Sequence, residues 1–101
     1  MDNALALLNK LEVQLKREAL WSEKAIGDEP LKSQVPFAAD TMAFEQWLQF
    51  IYLPRLRDLI HKQHTLPRAM QVAPAAEVYL PEQVTIIQVL RLLDALAAEQ
   101  P

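Results

Sequence analysis

Two histidines, His61 and His64, are the residues whose spacing first suggests metal chemistry. Three positions apart on a helix, they would share a face, and Asp58 precedes His61 by the same interval. A metal site ordinarily takes more ligands in a defined geometry, and solvated histidines near a helix end are the commoner arrangement. We therefore expect neither a bound metal nor another cofactor.

The residue types that nucleophilic and phosphate chemistry require are scarce. Serine occurs only at positions 22 and 33, neither of them within a nucleophile-elbow sequence, and cysteine does not occur. Cysteine nucleophiles, disulfides and thiolate metal sites are thereby excluded. The single glycine, Gly27, cannot supply a glycine-rich loop through which the backbone approaches phosphate groups. No residue stands out as a general acid or base, so we expect no catalytic residues and no enzyme.

Aromatic and arginine side chains are concentrated between residues 37 and 57. Four of the seven aromatic residues lie between positions 44 and 52. Successive helical residues point about 100° apart, so Phe50, Ile51 and Tyr52 cannot all face one core. Either some of these rings form an exposed face of the kind found at interface hot spots, or the long connections of the chain cover them. The predicted interaction face comprises Phe37, Phe44, Trp47, Phe50, Tyr52, Arg55 and Arg57.

Several short motifs in this segment and after it carry a family resemblance. They are Pro36-Phe37, Asp40-Thr41-Met42, Phe44-Glu45-Gln46-Trp47-Leu48-Gln49-Phe50, Leu53-Pro54-Arg55-Leu56 and, more weakly, Leu66-Pro67 and Pro74-Ala75-Ala76-Glu77. Over nearly its whole length the chain resembles the YqcC-like family of short gammaproteobacterial proteins, although Ala75 and Val78 depart from the weaker motif. The resemblance implies a compact helical bundle. It also implies genes that often neighbour one for a tRNA pseudouridine synthase, and it supplies no catalytic residues.

Together, the aromatic segment and the resemblance predict a non-catalytic accessory domain that binds another protein, with a tRNA pseudouridine synthase as the expected partner. An alternative is a domain that binds a small anionic ligand. Residues 36–40 and 67–76 would then form the mouth of a pocket, and Arg55 or Arg57 would neutralise the ligand. Direct tRNA contact through residues 55–68 is a third hypothesis. Homodimerisation through the last helix is compatible with each of them.

The charge distribution disfavours direct contact with nucleic acid. The chain carries a net charge of −3, whereas affinity for nucleic acid comes mainly from lysine and arginine contacts to phosphate. Only residues 30–75 are basic, with five lysines and arginines against three acidic residues. Residues 76–101 carry one against four. We therefore expect a protein partner instead of tRNA.

Helical periodicity predicts the elements that position these residues. Steps of three and four between apolar residues predict a first helix over residues 2–19. A second helix is expected to begin at Asp40 or Thr41, both of which are good N-cap residues. Because Pro54 lacks an amide donor, this helix should kink or restart there before it ends near Gln63.

A last helix is expected to begin at Pro81, which suits the first helical position. Its wide apolar face predicts burial on most sides, or burial partly by another chain. Long proline-containing connections are expected over residues 20–40 and 64–80, the second with a brief turn at 75–79. We thus predict an all-α fold, with about four helices packed as an up-and-down bundle in a single domain over residues 1–101.

The N-terminus and the hydropathy pattern bear on the cellular compartment. The chain has no basic start followed by an apolar run of the kind that signal peptides show. No stretch approaches the roughly 20 apolar residues that span a bilayer. We therefore expect a cytoplasmic protein that does not associate with membranes.

Overall fold

The computed structural model describes residues 2–23, 42–63, 65–66 and 71–99. These residues form helices and no strand, which confirms the predicted all-α class with about four helices. The helices are α1 (Asp2–Arg17), α2 (the consecutive segments Phe44–Trp47, Leu48–Tyr52 and Leu53–His61), α3 (Val72–Tyr79) and α4 (Val84–Glu99).

Helix α1 buries one apolar stripe and ends earlier than predicted. The buried residues are spaced by four, three and four: Ala4, Leu8, Leu11 and Leu15. Leu5 lies outside this stripe and is 40% exposed. The prediction that Ala19 continues the helix is wrong, because this residue has φ 58° and its amide donates to the Lys16 carbonyl. The Leu20 amide donates to the Leu15 carbonyl, which completes a Schellman motif that closes the helix.

Helix α2 begins at Phe44, with Ala43 as its N-cap residue. The amides of Gln46 and Trp47 donate to the Ala43 carbonyl, and the Gln46 side chain accepts from the Ala43 amide at 3.0 Å. This reciprocal pairing satisfies backbone groups at the helix start. The predicted caps at positions 40 and 41 lie outside the described residues.

A π turn over Leu48–Tyr52 lies just before Pro54 in α2. The Leu53 amide donates to the Leu48 carbonyl, five residues back. A regular α turn is disfavoured at this point, because proline has no amide to donate and its ring contacts the preceding turn. A wide π turn within an α-helix accommodates both constraints. The last segment of α2 therefore carries Pro54 in its first turn, as the predicted restart requires, and it ends at His61.

The π turn changes which side chains of α2 face the core. The buried apolar residues are Phe44, Trp47, Leu48, Tyr52, Leu53 and Leu56. Between Leu48 and Leu53, which the five-residue hydrogen bond joins, the stripe advances by five residues, whereas a regular α-helix would advance it by four. Phe50 and Ile51 consequently lie half-buried beside the stripe. Of the three consecutive residues that could not all face the core, Tyr52 is therefore the one that is buried.

Residues 72–79, predicted as part of a connection, form helix α3. Pro74 lies in its first turn, where backbone amides have no acceptor within the helix and proline is tolerated. The turn after α3 is closed by a hydrogen bond from the Gln83 amide to the Leu80 carbonyl. The prediction that Pro81 opens the last helix is therefore wrong, and α4 begins three residues later.

Helix α4 packs against both α1 and α3, and α1 packs against the last segment of α2. Helices α3 and α4 run antiparallel, because Ala73 bonds to Asp94 while Glu77 bonds to Arg91. The buried residues of α4 are Ile86, Ile87, Val89, Leu90, Leu93 and Ala97. Across the described ranges, no helix combines the length and the apolar character that crossing a membrane requires.

Candidate functional site

Most of the described aromatic residues of the predicted interaction face are buried. Phe44 is 5% exposed, Trp47 is 9% exposed and Tyr52 is 2% exposed. Phe50 is half-buried, and Phe37 lies outside the described residues. This burial agrees with the alternative in which the rings close the core, and the π turn places Tyr52 among the buried residues. A role for them in direct partner contact remains a prediction, and it would require the core to open.

The three buried rings of α2 and the exposed ring of Tyr79 form a continuous series that links α2 to α3. Phe44 stacks on Tyr79 of α3 with centroids 5.4 Å apart, and on Trp47 at 5.9 Å. Trp47 contacts Tyr52 at 5.5 Å in a tilted arrangement. Burial, together with the negative charge of nearby Asp94, raises the pKa of Tyr52 above its ordinary value. Tyr52 is therefore a neutral core residue at physiological pH, and the series contributes to packing between helices.

The two predicted arginines differ in their surroundings. Arg57 donates to Glu12 of α1 at 2.7 Å and to Asn9 at 3.0 Å, so its guanidinium cross-links α2 to α1. Arg55 is exposed. The pKa of Glu12 is lowered by hydrogen bonds from Lys16 and Arg57. Of the two cations proposed for an anionic ligand, Arg57 is thus held by an internal partner. Much of the proposed pocket mouth, including residues 36–40, lies outside the described residues.

Replacing Glu12 with glutamine is expected to lower the free energy of unfolding by about 0.5–1 kcal/mol at pH 7, since the pair is partly exposed. A carboxyl whose pKa is lowered by folding stabilises the protein above its unfolded pKa, and this contribution is lost as pH falls through the folded pKa. The difference between variant and parent should therefore shrink as the pH falls through the lowered pKa of Glu12, as measured by urea unfolding. Glu18→Gln, which removes an exposed carboxylate after α1, is the control. A difference that persisted at low pH would contradict the ion-pair explanation.

Two polar contacts hold α3 against α4. The Asp94 carboxylate accepts a hydrogen bond of 2.8 Å from the Ala73 amide at the start of α3, and so acts as an N-cap supplied by another helix. Burial raises the pKa of Asp94, while the amides of Ala73 and Val72 act in the opposite direction. Nearer the other end of α3, Arg91 forms an exposed ion pair with Glu77. Asp94 and Arg91 of α4 therefore both bind α3 and stabilise the packing of the two helices.

The side chain of Gln49 makes a contact that the sequence interpretation missed. Its Oε1 accepts from the Ser22 amide and its Nε2 donates to the Ser22 carbonyl, both at 2.7 Å. Gln49 is only 8% exposed and lies within the π turn. This pair of bonds attaches the segment after α1 to α2. A glutamine inside an aromatic block was the available signal, because a buried amide requires hydrogen-bond partners.

An open groove of about 480 Å³ lies between α1 and α4. Its α1 wall consists of Asn3, Ala6, Leu7 and Lys10. Its α4 wall consists of Leu92, Ala95, Leu96 and Glu99. Leu92 is 54% exposed, which is unusual for a leucine of the predicted apolar face. Exposed apolar surface of this kind marks candidate sites for binding another molecule.

Other exposed apolar side chains lie around the end of the α3–α4 hairpin. Val78 is 74% exposed, Tyr79 is 49% exposed and Val84 is 61% exposed. A smaller cavity of about 250 Å³ lies nearby, and its lining includes Glu77 and Arg91. The lining of this cavity is more polar than that of the α1–α4 groove, and its charged residues Glu77 and Arg91 already pair with each other.

The structure describes two of the three residues considered for a metal site. His61 and Asp58 lie exposed on α2, and Asp58 pairs with Lys62 at 3.2 Å. His64 lies outside the described residues. Within residues 2–23, 42–63, 65–66 and 71–99, no group of three histidine, aspartate or glutamate side chains is placed to hold a metal ion.

Two relatives and one solved structure match this chain over most of its length. The Escherichia coli protein YqcC, which is uncharacterised, is 34% identical over 97% of this chain and 94% of its own length. An uncharacterised protein of Haemophilus influenzae is 32% identical over 88% of this chain and 84% of its own. The solution NMR structure of E. coli YqcC matches with a TM-score of 0.87, covering 99% of this chain and 89% of that one.

A further relative is a much longer protein that carries the name of an enzyme. A Pectobacterium carotovorum protein named tRNA pseudouridine synthase C is 36% identical over 58% of this chain but only 16% of its own length. The family model DUF446, described as tRNA pseudouridine synthase C, matches residues 3–98. These matches confirm the resemblance to YqcC, and the chain belongs to the DUF446 family.

Proposed function

We propose that this protein is a non-catalytic accessory domain that binds a tRNA pseudouridine synthase. One observation carries the proposal: a relative named tRNA pseudouridine synthase C contains, within its own chain, a region similar to more than half of this protein. Sharing one polypeptide keeps two modules at a high effective concentration, so contacts between them form readily. A separate chain of the same family would make the corresponding contact as an intermolecular interface.

The structure supports a binding role through the surface it leaves open. Charged groups such as Arg57 and Asp94 are engaged in contacts between helices of the same chain. Apolar side chains such as Leu92 are exposed instead, at the edge of an open groove. Exposed apolar surface with polar residues at its edges is typical of protein-binding sites. An accessory protein of a tRNA-modifying enzyme would act in the cytoplasm, where we place it.

The test is a calorimetric titration of the full chain into purified tRNA pseudouridine synthase C from the same organism. We expect saturable one-to-one binding. Pseudouridine formation in tRNA should then be assayed with the enzyme alone, with the protein alone and with both together. The protein alone is expected to form no pseudouridine. The proposal fails if the two proteins do not bind, or if this protein modifies tRNA by itself.

A further inference from the structure

We infer that the α1–α4 groove binds an amphipathic helix presented by the synthase. This inference rests on the proposed function and names the surface through which it would operate. It also differs from the sequence prediction, which placed the contact on the aromatic segment of α2. Three features of the groove support it: the spacing of its walls, the charges at its rim and its size.

Each wall of the groove is a ridge two helical turns long. The wall residues of α1 and of α4 are spaced identically, at positions i, i+3, i+4 and i+7 of their helices. Seven residues of helix span about 10 Å, so the groove matches two turns of a third helix. A helix that docks in such a groove does so through apolar anchors at i, i+3 or i+4, and i+7. The small side chains of Ala6 and Ala95 leave room for these anchors.

Opposite charges at the rim complement the polar sides of such a helix. Lys10 lies on the α1 wall and Glu99 on the α4 wall. No ion pair joins either of them to another residue within the described ranges. A docked helix with an acidic residue toward Lys10 and a basic residue toward Glu99 would satisfy both charges. The pairing would fix which way the helix lies, because complementary charges set orientation and register.

The size of the groove favours a single helix over a second copy of this chain. Two turns of helix with an interhelical spacing of 8–10 Å present on the order of 100 Å² of surface. A stable interface between two protein copies typically buries about 800 Å² from each partner. The groove alone therefore falls well short of the surface that holds a stable dimer together, and its dimensions match one docked helix.

The test compares Leu92→Glu with Val78→Glu in calorimetric titrations against the synthase. Both changes add one negative charge at an exposed aliphatic side chain, 54% and 74% exposed respectively, but only Leu92 lines the groove. Leu92→Glu should weaken binding at least about tenfold, because it places a charge against the apolar side of the docked helix. Val78→Glu should leave the affinity unchanged. Circular dichroism and thermal unfolding should confirm that both variants retain the parent fold.

A second pair of variants tests the rim charge. Lys10→Glu should weaken binding several-fold, whereas Arg55→Glu, which makes the same change of charge on α2, should not. If Arg55→Glu weakens binding and Lys10→Glu does not, the contact lies on the predicted aromatic and arginine face, and the groove assignment is overturned.

The remaining outcomes separate the inference from the proposed function. Synthase binding that Leu92→Glu leaves unchanged would overturn the groove alone and leave the proposed function standing. No binding by the parent protein would overturn both. Sedimentation of the parent as a dimer that Leu92→Glu dissociates would show that a second copy occupies the groove, which also overturns the inference.

Discussion

Replacing Trp47 with alanine is expected to cost about 3–5 kcal/mol of unfolding free energy, the usual range for truncating a large aromatic side chain in a core. The indole is 9% exposed and contacts the rings of Phe44 and Tyr52. Because small domains are stabilised by only about 5–15 kcal/mol in total, the variant should unfold at much lower urea concentration. Urea unfolding followed by far-ultraviolet circular dichroism measures the change.

Phe50→Ala provides the matched control, since it truncates a neighbouring aromatic residue that lies half-buried beside the core stripe. Its cost should be below about 2 kcal/mol. If Trp47→Ala instead kept its full stability and lost affinity for the synthase, Trp47 would act at an interface. That result would support the predicted aromatic binding face, and the packing of α2 would need another explanation.

Replacing Gln49 with alanine is expected to cost about 2–4 kcal/mol, because two hydrogen bonds to the Ser22 backbone are lost together. Each bond contributes roughly 1 kcal/mol, and an amide and a carbonyl are left without their partner in a partly buried position. The segment after α1 should then detach from α2. Hydrogen exchange measured by mass spectrometry should show faster exchange around Ser22 in the variant.

Gln46→Ala is the control for this change, since Gln46 lies one helical turn earlier and makes one exposed hydrogen bond, to the Ala43 amide. Its cost should be about 0.5–1 kcal/mol, with no change in exchange near Ser22. Equal costs for the two glutamine variants would mean that the contact with Ser22 contributes little, and that the segment is held by apolar packing.

The helices were largely predictable because each depends on periodicity within its own sequence. The stripe of α1 follows from steps of three and four, and the apolar run of α4 allows little other than a helix. Helix α3 was missed because Pro74 suggested an interruption, although proline is compatible with a first helical turn. The π turn was missed because its five-residue step contradicts the regular spacing that the prediction assumed.

The candidate site was harder to predict, because it combines residues that are distant in sequence. Residues from the first part of α1 and the last part of α4 line the groove. Neither helix alone indicates that Leu7 and Leu96 line the same groove. From the sequence, Arg57 has no evident partner for its charge. The fold brings Glu12, which is 45 residues away in sequence, into hydrogen-bond contact with it. Composition correctly indicated an excess of aromatic side chains in one segment. Their exposure depended on the π turn and on a third helix, α3.

The wide turn in α2 has a consequence for aligning this protein with its relatives. A π turn contains one more residue than an α turn, so it corresponds to a one-residue insertion within a helix. Elsewhere in α2, deleting a residue would rotate every later side chain by about 100° and remove the apolar stripe from the core. Between Leu48 and Tyr52, a one-residue gap would convert the π turn to a regular turn and preserve the stripe on both sides. Such a gap is expected in relatives that lack Pro54, since the wide turn accommodates that proline.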